Sequence, residues 1–196
     1  MKKKFNIIIL AGGIGPEREV SISTGKALSN ALAKNFQVEL IDLTEEKLPK
    51  GINPETTVVC PVIHGTFGED GRLQSLLENQ GIIYSGSDSS SSRLCMDKFE
   101  SKKIVARAGV RVAPDFAFNN PKDVDSNEVL SSLGQDLVIK PIDQGSSVAL
   151  YVLHGEEELS HTLKEIGSGN WMIEKRIFGR EVTVGILGSC SLGIVE

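Results

Sequence analysis

Leu137-Val138-Ile139-Lys140-Pro141-Ile142-Asp143-Gln144-Gly145-Ser146-Ser147-Val148-Ala149-Leu150-Tyr151-Val152-Leu153 sets two apolar, β-rich runs, 137–139 and 148–153, on either side of a polar connection. The pattern predicts a strand, a loop and a second strand. A loop with Gly145 followed by two serines can turn successive backbone N–H groups and hydroxyls toward one point, and Lys140 at the strand end adds a positive charge. Such a nest suits a phosphate. A solvated hairpin turn is the alternative reading of the same residues, so the neighbouring segments have to decide.

The 196 residues are enough for one large domain or two small ones, and two lobes is the expectation. An apolar content of 40% and a charged content of 24% describe a globular chain, and the net charge of −5 argues against generic nucleic-acid binding. Cys60, Cys95 and Cys190 are odd in number and widely spaced, which points away from a disulfide framework or a zinc site and toward buried or free thiols in a reducing cytosol. Lys2, Lys3 and Lys4 before the apolar 5–11 imitate a secretory signal. Gly-Gly-Ile-Gly-Pro and Glu-Arg-Glu then follow in place of a cleavage site, so a first strand is expected. No apolar run approaches the roughly 18 residues of a membrane span. A cytoplasmic protein is the simplest expectation.

The apolar run 7–10 suits a strand buried on both faces, and Ala11-Gly12-Gly13-Ile14-Gly15-Pro16 turns out of it into a helical pattern. Val20, Ala27, Leu28, Ala31 and Leu32 are expected to mark the buried side of that helix, and 36–41 a second strand with Asp42 after it. The βαβ unit suggests a dinucleotide fold, yet Arg18 stands where the third glycine of the fingerprint belongs, so a nicotinamide-dependent oxidoreductase is disfavoured. Glu17, Arg18 and Glu19 would repel a pyrophosphate. They suit a cationic group such as a substrate ammonium, or simply decorate the first turn of a helix.

The run 57–63 predicts a third strand that delivers His64 to a loop of glycines and acids, at the carboxyl end where open α/β sheets bind ligands. A helix over 72–80 stops at Gly81, and 82–84 makes a fourth strand. The serine-rich 85–92 is either a linker or the cap of one helix carrying Leu94, Met96, Lys98, Lys102 and Ile104. Lys98 and Lys102 share a face there, most simply a solvated stripe. The lobe boundary is placed between this patch and Ala108-Gly109-Val110-Arg111-Val112-Ala113-Pro114. Beyond it come a strand at 116–118, a helix ending at Gly134, the hairpin, a helix with Leu159, Leu163 and Ile166, and strands at 171–177 and 181–187. That is an α+β pattern. No P-loop, HExxH, paired-cysteine or Gly-x-Ser-x-Gly motif occurs. What remains is a Rossmann-like lobe joined to an α+β lobe with two candidate phosphate lysines, Lys98 and Lys140.

A set of motifs follows one order along nearly the whole chain: Gly12-Gly13 with Glu17-Arg18-Glu19-Val20-Ser21 and Ser23-x-Gly25; His64-Gly65 with Gly68-Glu69-Asp70-Gly71 and Gln74; Tyr84-x-Gly86-Ser87; Met96-Asp97-Lys98; Lys140-Pro141 with Gly145-Ser146-Ser147-Val148; and Glu174-Lys175 with Gly179-Arg180-Glu181-x-Thr183-Val184. Together they resemble the D-alanine–D-alanine ligase family of the ATP-grasp superfamily. The resemblance implies a Rossmann-like, pre-ATP-grasp parallel-sheet lobe over 1–97, an α+β ATP-grasp central lobe over 98–182, and the start of a third lobe, mostly absent, over 183–196.

By the same resemblance Glu17 holds the ammonium of the first D-alanine, His64 sits by its carboxylate and Ser146 links to Glu17. Lys98 and Lys140 grip ATP phosphates, with Ser147 and the loop amides over the γ-phosphate. Glu174, Lys175 and the backbone of Ile177 meet the adenine edge, and Glu181 takes the ribose hydroxyls. The implied reaction phosphorylates one D-alanine carboxylate, which the amine of the second attacks. Magnesium is implied with ATP, but its ligands would lie in the part of the family's third domain that follows the position of Glu196. No metal ligand is therefore assigned here, and this chain by itself is expected to lack measurable ligase turnover. Ile14-Gly15-Pro16 and the Ser89-Ser90-Ser91-Ser92 run depart from the usual fillers of their motifs. A homodimer formed through the first lobe is implied, with neither a nucleic-acid nor a membrane partner. The alternatives are a ligase joining D-alanine to D-lactate or D-serine, and a non-catalytic nucleotide or D-amino-acid binding module.

Overall fold

A computed structural model describes residues 5–145 and 148–196 of the chain. The first sheet is built from β1 (Asn6–Gly12), β2 (Gln37–Leu43), β3 (Thr57–Pro61) and β4 (Ile83–Tyr84), all parallel, in the order β2-β1-β3-β4. Its helices are α1 (Arg18–Leu32) and α2 (Arg72–Asn79). The order reverses between β1 and β3, so their carboxyl ends diverge around one crevice. Ile8, Leu10, Val59, Ile63, Leu73 and Leu77 form the centre of this lobe's core.

The buried side of α1 is not the apolar one expected from the sequence. Val20 is exposed, and the fully buried positions are Ser21 and Gly25. The cause is a close approach of helix to sheet. A Cβ on Gly25 would stand 2.7 Å from the Cβ of Ala11 and 2.9 Å from Leu40 Cδ1. Small residues allow the contact, and no pattern of large side chains announces it.

The serine patch is neither a linker nor a serine cap. Asp88 caps α3 (Ser89–Met96), its carboxylate accepting from the Ser91 N–H at 2.7 Å, and Ser89 to Ser92 lie inside the helix. Nor does one helix continue to Lys102. Asp97 adopts an extended conformation, ends α3, and caps α4 (Lys98–Arg107) by accepting from the Glu100 N–H at 2.9 Å. An aspartate in the β region can satisfy the free N–H groups of the turn that follows it, so each one starts a new helix.

The second sheet is antiparallel, in the order β5-β8-β6-β7, from β5 (Asp115–Phe118), β6 (Asp136–Pro141), β7 (Tyr151–His154) and β8 (Trp171–Lys175). One face packs on α5 (Ser126–Leu133) and α6 (Gly155–Glu165) through Leu137, Ile139, Leu153, Leu159 and Ile173. The hairpin strand expected over 148–153 begins only at Tyr151, because Val148 to Leu150 are still in the turn and Ala149 has φ +50°. The strand expected over 181–187 is β9 (Thr183–Leu187), and it pairs in a last hairpin with β10 (Cys190–Val195), a strand that sequence patterning left unassigned. Both of its faces are exposed. The cysteines are free thiols, as expected, but none is buried: Cys60 is half-buried, and Cys95 and Cys190 are exposed.

Candidate functional site

Two groups of residues meet at loops that the sheets position. The first lies at the switch point of the parallel sheet. Gly12 ends β1, and its N–H donates to Ser21 Oγ at 2.9 Å, while the same hydroxyl donates to the Val62 carbonyl at 2.7 Å. One buried serine thus ties the turn after β1 to the segment after β3. Glu17, the residue before α1, is brought over the His64 loop: a Cβ on Gly65 would stand 3.0 Å from Glu17 Oε2. His64 lies between two polar neighbours, its Nδ1 3.5 Å from Glu69 Oε1 and its Nε2 3.5 Å from Thr24 Oγ1. Glu69 also accepts from the Gly65 N–H at 3.0 Å, which fixes the loop.

Arg18 has a structural task that explains its place in the glycine turn. Its guanidinium donates to the carbonyls of Gly13 at 2.9 Å and Leu43 at 3.1 Å and pairs with Asp42 at 2.6 Å. Asp42 lies near the carboxyl end of β2, the place from which a dinucleotide fold offers an acid to the ribose. Here that acid is engaged by Arg18, consistent with the missing third glycine.

The second group lies on the face of the antiparallel sheet away from its helices. Strand alternation buries Leu137, Ile139 and Pro141 of β6, so Val138 and Lys140 turn to the other face. Val138 is paired with Glu174 on β8 and with Val152 on β7, and Glu174 is paired with Asp115 on β5. Register alone therefore sets Asp115, Glu174, Val138 and Val152 in a row. Glu174, Val138 and Val152, together with Lys140, Leu150 and the segment after β8, line a cavity of about 440 Å³. Val138, Leu150, Val152 and Ile177 are the apolar residues of its lining, and Lys140, Glu174, Lys175 and Glu181 are charged ones.

Glu174 is the electrostatic centre. Its Oε1 is paired with Lys140 and its Oε2 lies 3.0 Å from Lys102, whose ammonium also pairs with Asp115. Burial pushes the Glu174 carboxyl up, but the hydrogen bonds and charges of Lys140 and Lys102 outweigh it and hold the group below the ordinary glutamate range. Lys98, at the start of α4, donates from its ammonium to the carbonyls of Gln144 and, at 3.3 Å, Ile142. Its backbone N–H also donates to Ile142 O at 3.1 Å, so α4 is docked on the β6–β7 loop. Burial, and then the Lys140 charge, lower the pKa of Lys98.

Among the sequence-derived candidates, Glu17 and His64 share the first crevice, and Lys140, Glu174, Lys175, Ile177 and Glu181 share the cavity. Lys98 and Lys140 both line a smaller hollow with Gln144 and Gly145. Ser146 and Ser147 lie outside the described residues. Sequence reasoning missed Lys102, Asp115 and the structural serine Ser21. Lys102 is not part of a solvated stripe, since its side chain is only 16% exposed. Its spacing of one helical turn from Lys98 was legible, but the carboxylates of Asp115 and Glu174 that sequester it are distant in sequence. Among the described residues no group of three His, Cys, Asp or Glu side chains could hold a metal ion. They do not make a magnesium site.

A Rossmann-like parallel sheet followed by an antiparallel sheet with lysines and a glutamate on its open face defines an ATP-grasp type of protein. Comparison with known proteins narrows the class. Residues 104–196 match the family model described as D-ala D-ala ligase C-terminus. The D-alanine–D-alanine ligase of Thermotoga maritima is 38% identical over 93% of this chain, and that of Methylacidiphilum infernorum 36% over 97%. The crystal structure of the Bacillus anthracis ligase superposes with a TM-score of 0.85 at 35% identity, covering 97% of this chain and 63% of that one. A second structure of the Bacillus anthracis enzyme, complexed with ATP, superposes with a TM-score of 0.84. Over the part they share, this chain is similar to the D-alanine–D-alanine ligases. It spans 59% and 61% of the length of the Thermotoga maritima and Methylacidiphilum infernorum relatives.

Proposed function

We propose that this chain carries the D-alanine- and ATP-binding parts of an ATP-dependent D-alanine–D-alanine ligase, which makes D-alanyl-D-alanine for peptidoglycan. The observation that supports it most is the cavity on the open face of the antiparallel sheet, where apolar Val138, Leu150 and Val152 lie beside Lys140, Glu174, Lys175 and Glu181. Apolar walls suit a flat base, and convergent charged groups suit phosphates and ribose hydroxyls. In this reading the lobes run over 1–97, 98–182 and 183–196.

Lys98 and Lys140 take the phosphates, assisted by Ser146, Ser147 and the loop amides. Lys98 exchanges the carbonyls of Gln144 and Ile142 for phosphate oxygens, which favours its charged form. Glu174, Lys175 and the Ile177 backbone take the base, and Glu181 the ribose. Glu17 receives the ammonium of the first D-alanine at the crevice between β1 and β3, with His64 beside the carboxylate. Two lysines near the transferred phosphoryl group neutralise charge as one D-alanine carboxylate becomes an acyl phosphate. The amine of the second D-alanine then attacks that carbonyl, expelling phosphate. Magnesium as the companion of ATP, a cytoplasmic location and a homodimer through the first lobe belong to the same reading.

Titration calorimetry of the chain with a non-hydrolysable ATP analogue tests it. Saturable binding is expected, weakened about tenfold or more in Lys140→Ala by loss of a charge-assisted phosphate contact. D-alanine binding that Glu17→Gln removes is expected independently. Absence of saturable nucleotide binding by the wild-type chain would overturn the proposal.

A further inference from the structure

We propose that Lys102, braced by Asp115, is the positioning residue through which Glu174 selects a 6-amino over a 6-oxo purine nucleotide. The assignment rests on the nucleotide reading of the cavity.

Asp115 and Glu174 are directly paired across the antiparallel strands β5 and β8. Two carboxylates so placed repel one another, and a cation between them reverses the sign of the interaction. Lys102 is that cation. It reaches from α4, one turn beyond Lys98, pairs with Asp115, and stands 3.0 Å from Glu174 Oε2. Lys140 occupies the other oxygen, Oε1. All four side chains are largely sequestered, with 13 to 21% of their surface exposed.

This arrangement fixes what Glu174 can offer a base. A carboxylate gripped at both oxygens by ammonium groups stays ionised and cannot rotate freely. It is an acceptor with remaining lone pairs and no proton to donate. An exocyclic amine such as the 6-amino group of adenine can donate to it. A 6-oxo group on the same ring presents only an acceptor, so the two oxygens repel and a buried acceptor loses its partner. Lys102 touches neither base nor phosphate in this scheme. It acts by holding Glu174 away from Asp115 and in line with the cavity.

The test compares ATP with inosine triphosphate, which carries a 6-oxo group, by titration calorimetry of the whole 196-residue chain. The wild type is expected to bind ATP about tenfold or more tightly than the inosine nucleotide, since a site built for a donor penalises its loss. Lys102→Met, which keeps the aliphatic stem but not the charge, brings the two affinities within about threefold of each other. Lys102→Arg restores most of the preference because it keeps the cation between the carboxylates. A merely structural lysine would weaken both nucleotides alike and leave their ratio unchanged, and that result overturns the positioning role alone. Binding of neither nucleotide by the wild type overturns the cavity reading and the positioning role with it. If Lys102→Met shows no cooperative thermal unfolding, Asp115→Asn decides. It loosens the brace without leaving Glu174 against a second charge, and a fall in the nucleotide preference supports the role whereas an unchanged ratio refutes it.

Discussion

Replacing Ser21 by alanine should destabilise the first lobe more than the loss of one small polar group suggests. Ser21 is fully buried on the first turn of α1, and its hydroxyl is both acceptor and donor. Alanine fills almost the same space, so little cavity forms. What is lost is the acceptor for the Gly12 N–H at 2.9 Å and the donor to the Val62 carbonyl at 2.7 Å. Each buried group left without a partner costs about 1–3 kcal/mol, and the partly buried Val62 carbonyl belongs at the lower end. The sum is about 2–4 kcal/mol, a sizeable part of the ~5–15 kcal/mol that separates a folded domain from its unfolded chain. Equilibrium urea unfolding, with Ser23→Ala on the exposed side of the same helix as control, measures it. The midpoint should fall for Ser21→Ala with an unchanged slope, while the control stays within about 0.5 kcal/mol of wild type. If Ser21→Ala also stays within about 0.5 kcal/mol, the hydroxyl does not tie the loops after β1 and β3 together. The same variant should weaken D-alanine binding, because Glu17 and His64 stand on those loops.

Gly71 has φ +86°, and a Cβ there would stand 2.2 Å from the Ser89 carbonyl oxygen. Gly71→Ala should therefore lose at least the ~1–2 kcal/mol of a left-handed non-glycine residue, with the steric overlap added, and thermal unfolding at a midpoint equal to wild type would contradict this. Glu174 titrates below its ordinary value of 4.5, so its contribution to stability is fully present above that pH and is lost as the pH falls through the lower, folded-state value. The stability gap between wild type and Glu174→Gln, measured by denaturant unfolding, should be constant near neutrality and shrink in acid below about pH 4.5. A gap that widens in acid would show that the pairs with Lys140 and Lys102 do not stabilise the charged carboxylate.

Whatever depends on neighbours along the chain is legible in the amino-acid sequence. The apolar run of β1, the stop at Gly81, the alternation of β6 and the absence of a third glycine at Arg18 are local patterns, and each sets a local conformation or excludes one. The ordered motifs likewise carry the resemblance to the ligase family, because they are fixed by order and spacing along the chain. Tertiary structure decided whatever depends on partners distant in sequence. That α1 buries Ser21 and Gly25 follows from how closely it approaches Ala11 and Leu40, and no periodicity of large side chains records such an approach. That Lys102 is sequestered follows from the register of β5 against β8, which sets two carboxylates opposite each other and demands a cation. A lysine on a helix reads as solvated until the strand beneath it is known, because burying a charge is favourable only where opposite charges compensate it.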